Sequence, residues 1–205
     1  MIHVLPGMGA DHRMYPGPWR QLPGAVFLDW PQDAATASIG ALAHQVIERA
    51  GIADGDTLIG SSLGGIVACE IARFRRIDHL FLVGSARRKE EVSALLRLLL
   101  PVVDLAPLPF LQRAVGKLPT ELGAMFAASD PAFIRGMCRA IFAWNGLPEG
   151  LTSLHRIHGR ADLVIPPPPQ VDRLLGGGHL IAMTHASECV QFVARGLNLA
   201  FVSEA

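Results

Sequence analysis

The chain predicts an α/β protein: a six-stranded, mostly parallel sheet with helices on both faces. Three observations carry this. Short apolar runs of strand length alternate with segments of helical periodicity, which is how a parallel sheet covered on both sides reads in sequence. Half of the residues are apolar and only 18% are charged, against about 25% in ordinary soluble domains, as burial of a sheet on both faces demands. A length of 205 residues suits one domain.

Each element follows from its residues. Ile2–Leu5 is an apolar run stopped by Pro6 and Gly7, a buried strand with a tight turn behind it. Residues 25–30 form a second such run, ended by Pro31. Ile39, Leu42, Ala43, Val46, Ile47 and Ala50 recur at spacings of three and four, one face of a helix that Gly51 stops. Residues 57–60 predict the third strand, 66–74 a helix, and His79–Val83 the fourth strand. Residues 153–158 predict the fifth strand and Arg173–Leu175 a short sixth. Residues 188–199 predict a closing helix with Val190, Val193 and Leu197 on one side. Between about residues 89 and 150 no strand is legible. There Asp130 and Pro131 mark a helix start, a cap followed by proline at the first position. Ile134, Met137, Ile141 and Trp144 then share a face. The expectation is a single domain over 1–205, carrying an inserted helical segment at 89–150 between the fourth and fifth strands. Pro166 through Pro169 form a stiff, non-helical connector.

Composition excludes several classes of function. Eighteen basic and 18 acidic side chains leave a net charge of +0, which argues against nucleic acid or anionic lipid as a partner. Disorder requires the reverse of this composition. Cys69, Cys138 and Cys189 are odd in number and far apart, with no metal-ligand spacing, so buried free thiols in a reducing, cytoplasmic setting are expected. The run from Met1 to Leu5 lacks a basic flank and a long apolar stretch, so no secretory leader is expected. The most membrane-like stretch, 92–111, is broken by Arg97, Asp104, Pro101, Pro107 and Pro109 and makes a poor spanning helix. No metal, cofactor or stable membrane insertion is expected.

Chemistry concentrates in three places. Gly60-Ser61-Ser62-Leu63-Gly64-Gly65 lies between a strand and a helix and fits G-x-S-x-G with Ser62 as the serine. The pattern needs a strained turn that projects one hydroxyl, with glycines on either side where side chains would collide. A phosphate-binding turn is the competing reading, but no Gly-Lys-Ser/Thr follows. A nucleophilic serine needs a base, and the base an orienting acid. Asp162 follows the fifth strand in His158-Gly159-Arg160-Ala161-Asp162, and His179 follows the sixth in Gly176-Gly177-Gly178-His179. Loops at the carboxyl ends of parallel strands share one rim, so Ser62, Asp162 and His179 can meet there. Among the other histidines, His185 reads as a cap, His44 as solvated on a polar helix face, His158 as a strand residue and His12 as structural. Pro6-Gly7-Met8-Gly9 can offer the backbone N–H of Met8, and Leu63 a second N–H, to an oxyanion.

Taken together these motifs resemble the α/β-hydrolase superfamily along nearly the whole chain. In kind the sequence is most similar to small bacterial serine hydrolases of undefined substrate. Gly9, Ala10, Asp11 and Arg13 in the first loop, Trp30-Pro31, and the stretch from Asp130-Pro131 through Trp144 add to that likeness. The resemblance implies Ser62, Asp162 and His179 as the triad, Met8 and Leu63 as oxyanion donors, and the insert as a lid. It also implies a trimmed sheet, because the two strands that usually precede the oxyanion loop are missing. The interval from Asp162 to His179 is short too, with prolines where a helix usually sits.

The insert is rich in apolar residues: Leu98, Leu99, Val102, Val103, Phe110, Leu111, Met125, Phe126, Phe133, Met137, Phe142 and Trp144. Some must form a small core of its own, and the surplus predicts a pocket wall over Ser62, with Met125, Phe126 and Trp144 as substrate-binding residues. Arg13, Arg160 and His12 are candidate partners for a polar substrate head, each more often a structural ion pair. The expected activity is hydrolysis of a small, largely apolar ester or thioester through an acyl-enzyme. Cofactor-free lyase or C–C hydrolase chemistry on the same triad, and a non-catalytic ligand-binding scaffold, are the alternatives. A homodimer formed through an exposed lid face is compatible with any of these.

Overall fold

The computed structural model describes residues 1–34, 37–93 and 121–199. Successive side chains of a strand face opposite ways, and the central strands here are apolar on both faces. They are β1 (Ile2–Leu5), β2 (Ala25–Phe27), β3 (Thr57–Ser61), β4 (His79–Val83), β5 (Ser153–Gly159) and β6 (Arg173–Leu175). Leu5, Leu58, Leu80 and Leu82 enter one core, and Val4, Ile59, Phe81, Val83 and Ile157 the other. All neighbouring strands pair in parallel, in the order β2-β1-β3-β4-β5-β6.

On the first face lie α1 (Ile39–Ala50) and α2 (Leu63–Ile71). The Ser38 hydroxyl accepts from the Ala41 N–H to start α1, and Gly51 ends it in a left-handed turn (φ 64°). On the second face, Met14, Tyr15 and Trp19 from two short 3-10 turns meet α5 (Ile181–Thr184) and α6 (Ala186–Gly196) through Ile181, Val190 and Val193. The polar tips on this face are satisfied: the Tyr15 hydroxyl donates to Leu5 O (2.5 Å) and Trp19 Nε1 to Ala182 O (2.7 Å).

Element boundaries shift where local geometry decides them. The helix expected at 66–74 begins three residues earlier, directly from the turn at Ser62. Its glycines do not break it because they are where it touches the sheet. A Cβ on Gly64 would lie 2.4 Å from Leu5 O, and one on Gly60 2.4 Å from Gly64 C. β2 ends at Phe27 rather than residue 30, although Leu28 N–H still reaches Val4 O (2.9 Å). α6 starts at Ala186 and stops at Gly196, where Asn198 turns left-handed (φ 53°) and Leu199 N–H returns to Ala194 O (2.8 Å).

Between β4 and β5 the described chain forms a 3-10 turn at Lys89–Glu91, then α3 (Glu121–Ala128) and α4 (Pro131–Ala143). Residues 94–120, and with them Leu98, Leu99, Val102, Val103, Phe110 and Leu111, lie outside the described residues. The expectation of a separate small core needs correction for α4. Phe133, Met137, Ala140 and Ile141 join the first core beside α1 and α2. Both ends of the insert are tied to buried polar groups. Arg156 of β5 donates to Glu91 (2.6 Å) and to Ser85 O (3.3 Å), and Glu91 also accepts from the Arg87 N–H (2.8 Å). Among the described residues no helix is long and apolar enough to cross a membrane.

β1 hands its chain to β2 on one side, while β3 hands its chain to β4 on the other. The loops after β1 and β3 therefore diverge and leave a crevice at the carboxyl edge, where ligands of open α/β sheets bind. Gly64→Ala should lower stability by about 1–3 kcal/mol, read from a urea midpoint, because its methyl group would press on the Leu5 and Pro6 backbone.

Candidate active site

Ser62 occupies the crevice at the end of β3 with φ 51° and ψ −121°. A non-glycine residue in such a conformation persists only where its surroundings dictate it. Here the Ser85 hydroxyl donates to Ser62 O (2.7 Å), and the Ser62 N–H reaches Val83 O (3.4 Å). The turn leaves the Ser62 side chain half-buried and alone at the rim. Ser61, the competing hydroxyl, is buried in the strand beneath it.

The glycine loop after β6 brings His179 over the serine. Its Nε2 lies 3.0 Å from Ser62 Oγ and its Nδ1 2.8 Å from Asp162 Oδ2. An Nδ1–H donated to the carboxylate leaves Nε2 free to accept the serine proton. Asp162 sits in the turn after β5 with its side chain fully buried. Its Oδ1 accepts from the Val164 and Ile165 N–H groups, both at 2.9 Å. The three residues predicted from sequence thus form one continuous hydrogen-bonded line.

A fourth residue belongs to the cluster and was read from sequence only as part of a strand. His158 is buried, with Nε2 2.7 Å from Ile165 O and 3.3 Å from Asp162 Oδ2. A carbonyl only accepts, so Nε2 carries the proton and His158 is a second imidazole donor to the acid. Its Nδ1 is buried with no partner among the described residues. The signal was present in the spacing: the strand ends at Gly159 and the turn folds back so that Asp162 N–H meets Gly159 O (3.2 Å), beside the preceding histidine. Burial pushes the Asp162 carboxyl up. The His158 and His179 hydrogen bonds, the charge of His179 and the Ile165 N–H outweigh it and hold the acid well below the usual carboxylate range.

The loop after β1 lies directly against the serine, since a Cβ on Gly7 would stand 3.6 Å from Ser62 Cβ. The Gly7 N–H is engaged by Met14 Sδ (3.0 Å), and Gly7 O accepts from Trp30 Nε1 (2.9 Å) and from the Ala10 N–H (3.3 Å). The N–H groups of Met8 and Leu63 have no partner among the described residues. Gly9 is left-handed (φ 71°), and the Phe126 ring fills the place of its absent side chain, 2.6 Å from a Cβ built there. Phe126 therefore lies on the loop beside the serine. Met125 is buried in the second core and edges a cleft of about 340 Å³ that Trp30, Phe133, Asp11 and Asp29 also line.

Trp144 requires correction. Its ring is 5% exposed and belongs to the first core, and its Nε1 donates to Glu70 Oε2 on α2 (2.7 Å). That position holds the exit of α4 against the helix behind the serine and gives it no face toward a substrate. The other histidines have local roles. His185 Nδ1 meets Thr184 Oγ1 (2.8 Å), His12 Nδ1 meets Asp29 Oδ1 (2.8 Å), and His44 packs on Phe74, ring centres 4.1 Å apart. Arg13 grips Asp11 through two nitrogens, and Arg160 is exposed. Asp11, His12 and Asp29 have ligand atoms within 4.8 Å of one another, but Arg13 already holds the first. Burial pushes the thiols of Cys69 and Cys189 up, away from nucleophilic use.

Two outcomes follow. Trp144→Phe should cost about 1.5–3 kcal/mol in a urea melt while leaving KM unchanged, because it takes a buried donor from Glu70, leaves only the longer contact from Arg73 (3.4 Å), and lies away from the serine. Asp162 has a folded pKa below its unfolded value of about 3.9. Its stabilisation is therefore complete above that value and is lost as pH falls through it toward the folded one. Asp162→Asn should flatten the decline of the urea midpoint between about pH 5 and pH 2.

No protein-family model matches the chain, and no curated protein matches it. Solved structures do. A thermophilic esterase from Thermogutta terrifontis superposes with a TM-score of 0.72 at 18% identity, over 96% of this chain and 89% of that one. An enol-lactonase from Burkholderia xenovorans gives 0.75 at 19% identity, over 96% and 91%. The RedJ thioesterase of the prodiginine pathway in Streptomyces coelicolor gives 0.64 at 19% identity, over 97% and 89%. With its strand order and the serine turn after β3, this likeness makes the chain an α/β-hydrolase in fold.

Proposed function

We propose that the protein is a serine hydrolase that cleaves a small, largely apolar carboxylic ester or thioester through an acyl-enzyme. The observation that carries this reading is the unbroken line from Ser62 Oγ through His179 to a buried, ionised Asp162. Ser62 Oγ attacks the acyl carbon while His179 Nε2 takes its proton. The imidazolium that results faces Asp162, whose negative charge is already in place. The acyl oxygen gains charge and is met by the N–H groups of Met8 and Leu63, each held by backbone and so preorganised. Collapse returns the proton from His179 to the leaving alkoxide or thiolate. Water then enters by the same route, His179 takes its proton, and Ser62 is released with the acid.

An apolar acyl or alcohol portion suits the surroundings, with Phe126 packed on the loop at Gly9 and Met125 behind it. The esterase, enol-lactonase and thioesterase that share the fold are named for acyl chemistry, which agrees with this reading.

A fluorophosphonate probe should label the wild type and fail to label Ser62→Ala. On p-nitrophenyl esters the same variant should lose about 10⁴-fold or more in kcat. A folded wild type that takes no probe and turns over neither short and long esters nor thioesters would overturn the hydrolase reading in favour of a binding scaffold.

A further inference from the structure

Among the described residues the Trp30 side chain makes one polar contact, and its chemistry reaches the reacting atoms through a single peptide group. The indole N–H donates to Gly7 O at 2.9 Å. That carbonyl belongs to the peptide whose other end is the N–H of Met8. A trans peptide is planar, so its C=O and N–H point in opposite directions and move together. Holding the oxygen therefore holds the hydrogen. Gly7 cannot do this alone, since a residue without Cβ offers little resistance to rotation of the peptide that follows it. The second contact to Gly7 O, from the Ala10 N–H, is longer at 3.3 Å.

We propose that Trp30 is a positioning residue that fixes the Gly7–Met8 peptide so that the Met8 N–H faces the developing oxyanion. This rests on the hydrolase reading above, in which that N–H is an oxyanion donor. Two effects act in the same direction. The peptide plane is kept from rocking or flipping, and a hydrogen bond at the carbonyl polarises the amide and strengthens its N–H as a donor. The ring is itself held in place. It packs on Phe133 of α4, ring centres 5.7 Å apart, and stands at the wall of the cleft that also includes Met125 and Asp29. Helix α4 thereby reaches the oxyanion loop through Trp30.

Stabilisation of an oxyanion exists only in the transition state, so loss of this support should lower kcat and leave KM alone. The sharpest test removes the donor without changing the shape: Trp30 replaced by 3-benzothienylalanine, in which sulfur stands where the indole N–H was. With p-nitrophenyl acetate, kcat should fall about tenfold, with KM within about twofold of wild type. Inhibition by a trifluoromethyl ketone, whose adduct carries the same oxyanion, should weaken by a similar factor. Trp30→Phe should show the same split, with thermal melting of both variants reporting on the fold. An unchanged kcat in the benzothienyl protein, or a rise in KM alone, overturns the proposal while leaving the hydrolase reading intact. A wild type that neither turns over the ester nor takes the fluorophosphonate overturns both.

Discussion

A serine held at φ 51° and ψ −121° costs on the order of 1–3 kcal/mol relative to a relaxed backbone, and much of the structure exists to leave Ser62 no alternative. α2 must start at once, so its first turn is pressed into the sheet. That contact requires glycine at 60 and 64, where a Cβ on either would overlap backbone. The close approach places α2 against the end of β1, which in turn brings the Gly7 loop beside Ser62. Ser85, from the end of β4, holds the turn from the other side through Ser62 O. The strained residue, the Gly7 loop and the neighbouring strand are thus consequences of one another.

The same logic governs the acid. A fully buried carboxylate is unfavourable unless every oxygen is answered. Asp162 is answered by two backbone N–H groups on Oδ1 and by two imidazoles on Oδ2. The charge is therefore held in place by protein groups at neutral pH, as the proposed reaction asks of it.

What could be read in the sequence follows from which features are local. Strands β1, β4 and β6 and helix α1 appear at their expected bounds, because apolar runs and the stop at Gly51 specify them within a few residues. The serine turn was equally legible, since its glycines are a steric requirement of the turn itself. The start of α2 was misread for the same reason: Gly64 and Gly65 look like a break until the sheet they touch is known. His158 and Trp144 could not be sorted by pattern alone. The role of His158 depends on a fold-back of the chain behind Gly159, and that of Trp144 on Glu70, which lies 74 residues earlier. Nothing local to Trp30 suggests that its indole would reach a carbonyl 23 residues away.

The insert between β4 and β5 is fastened where it leaves the sheet and again where it returns, through Glu91 on Arg156 and Trp144 on Glu70. In terms of local unfolding, these are two stops. An opening of α3 and α4 would meet a carboxylate clamp at either end before it reached β4 or β5, and regions of differing stability in one domain are separated by junctions of this kind. Because α4 contributes Phe133, Met137 and Ile141 to the core it shares with α1 and α2, such an opening would also uncover that core. Sequence change in that segment is correspondingly constrained at Phe126 and Phe133, which pack on Gly9 and on Trp30 beside the serine.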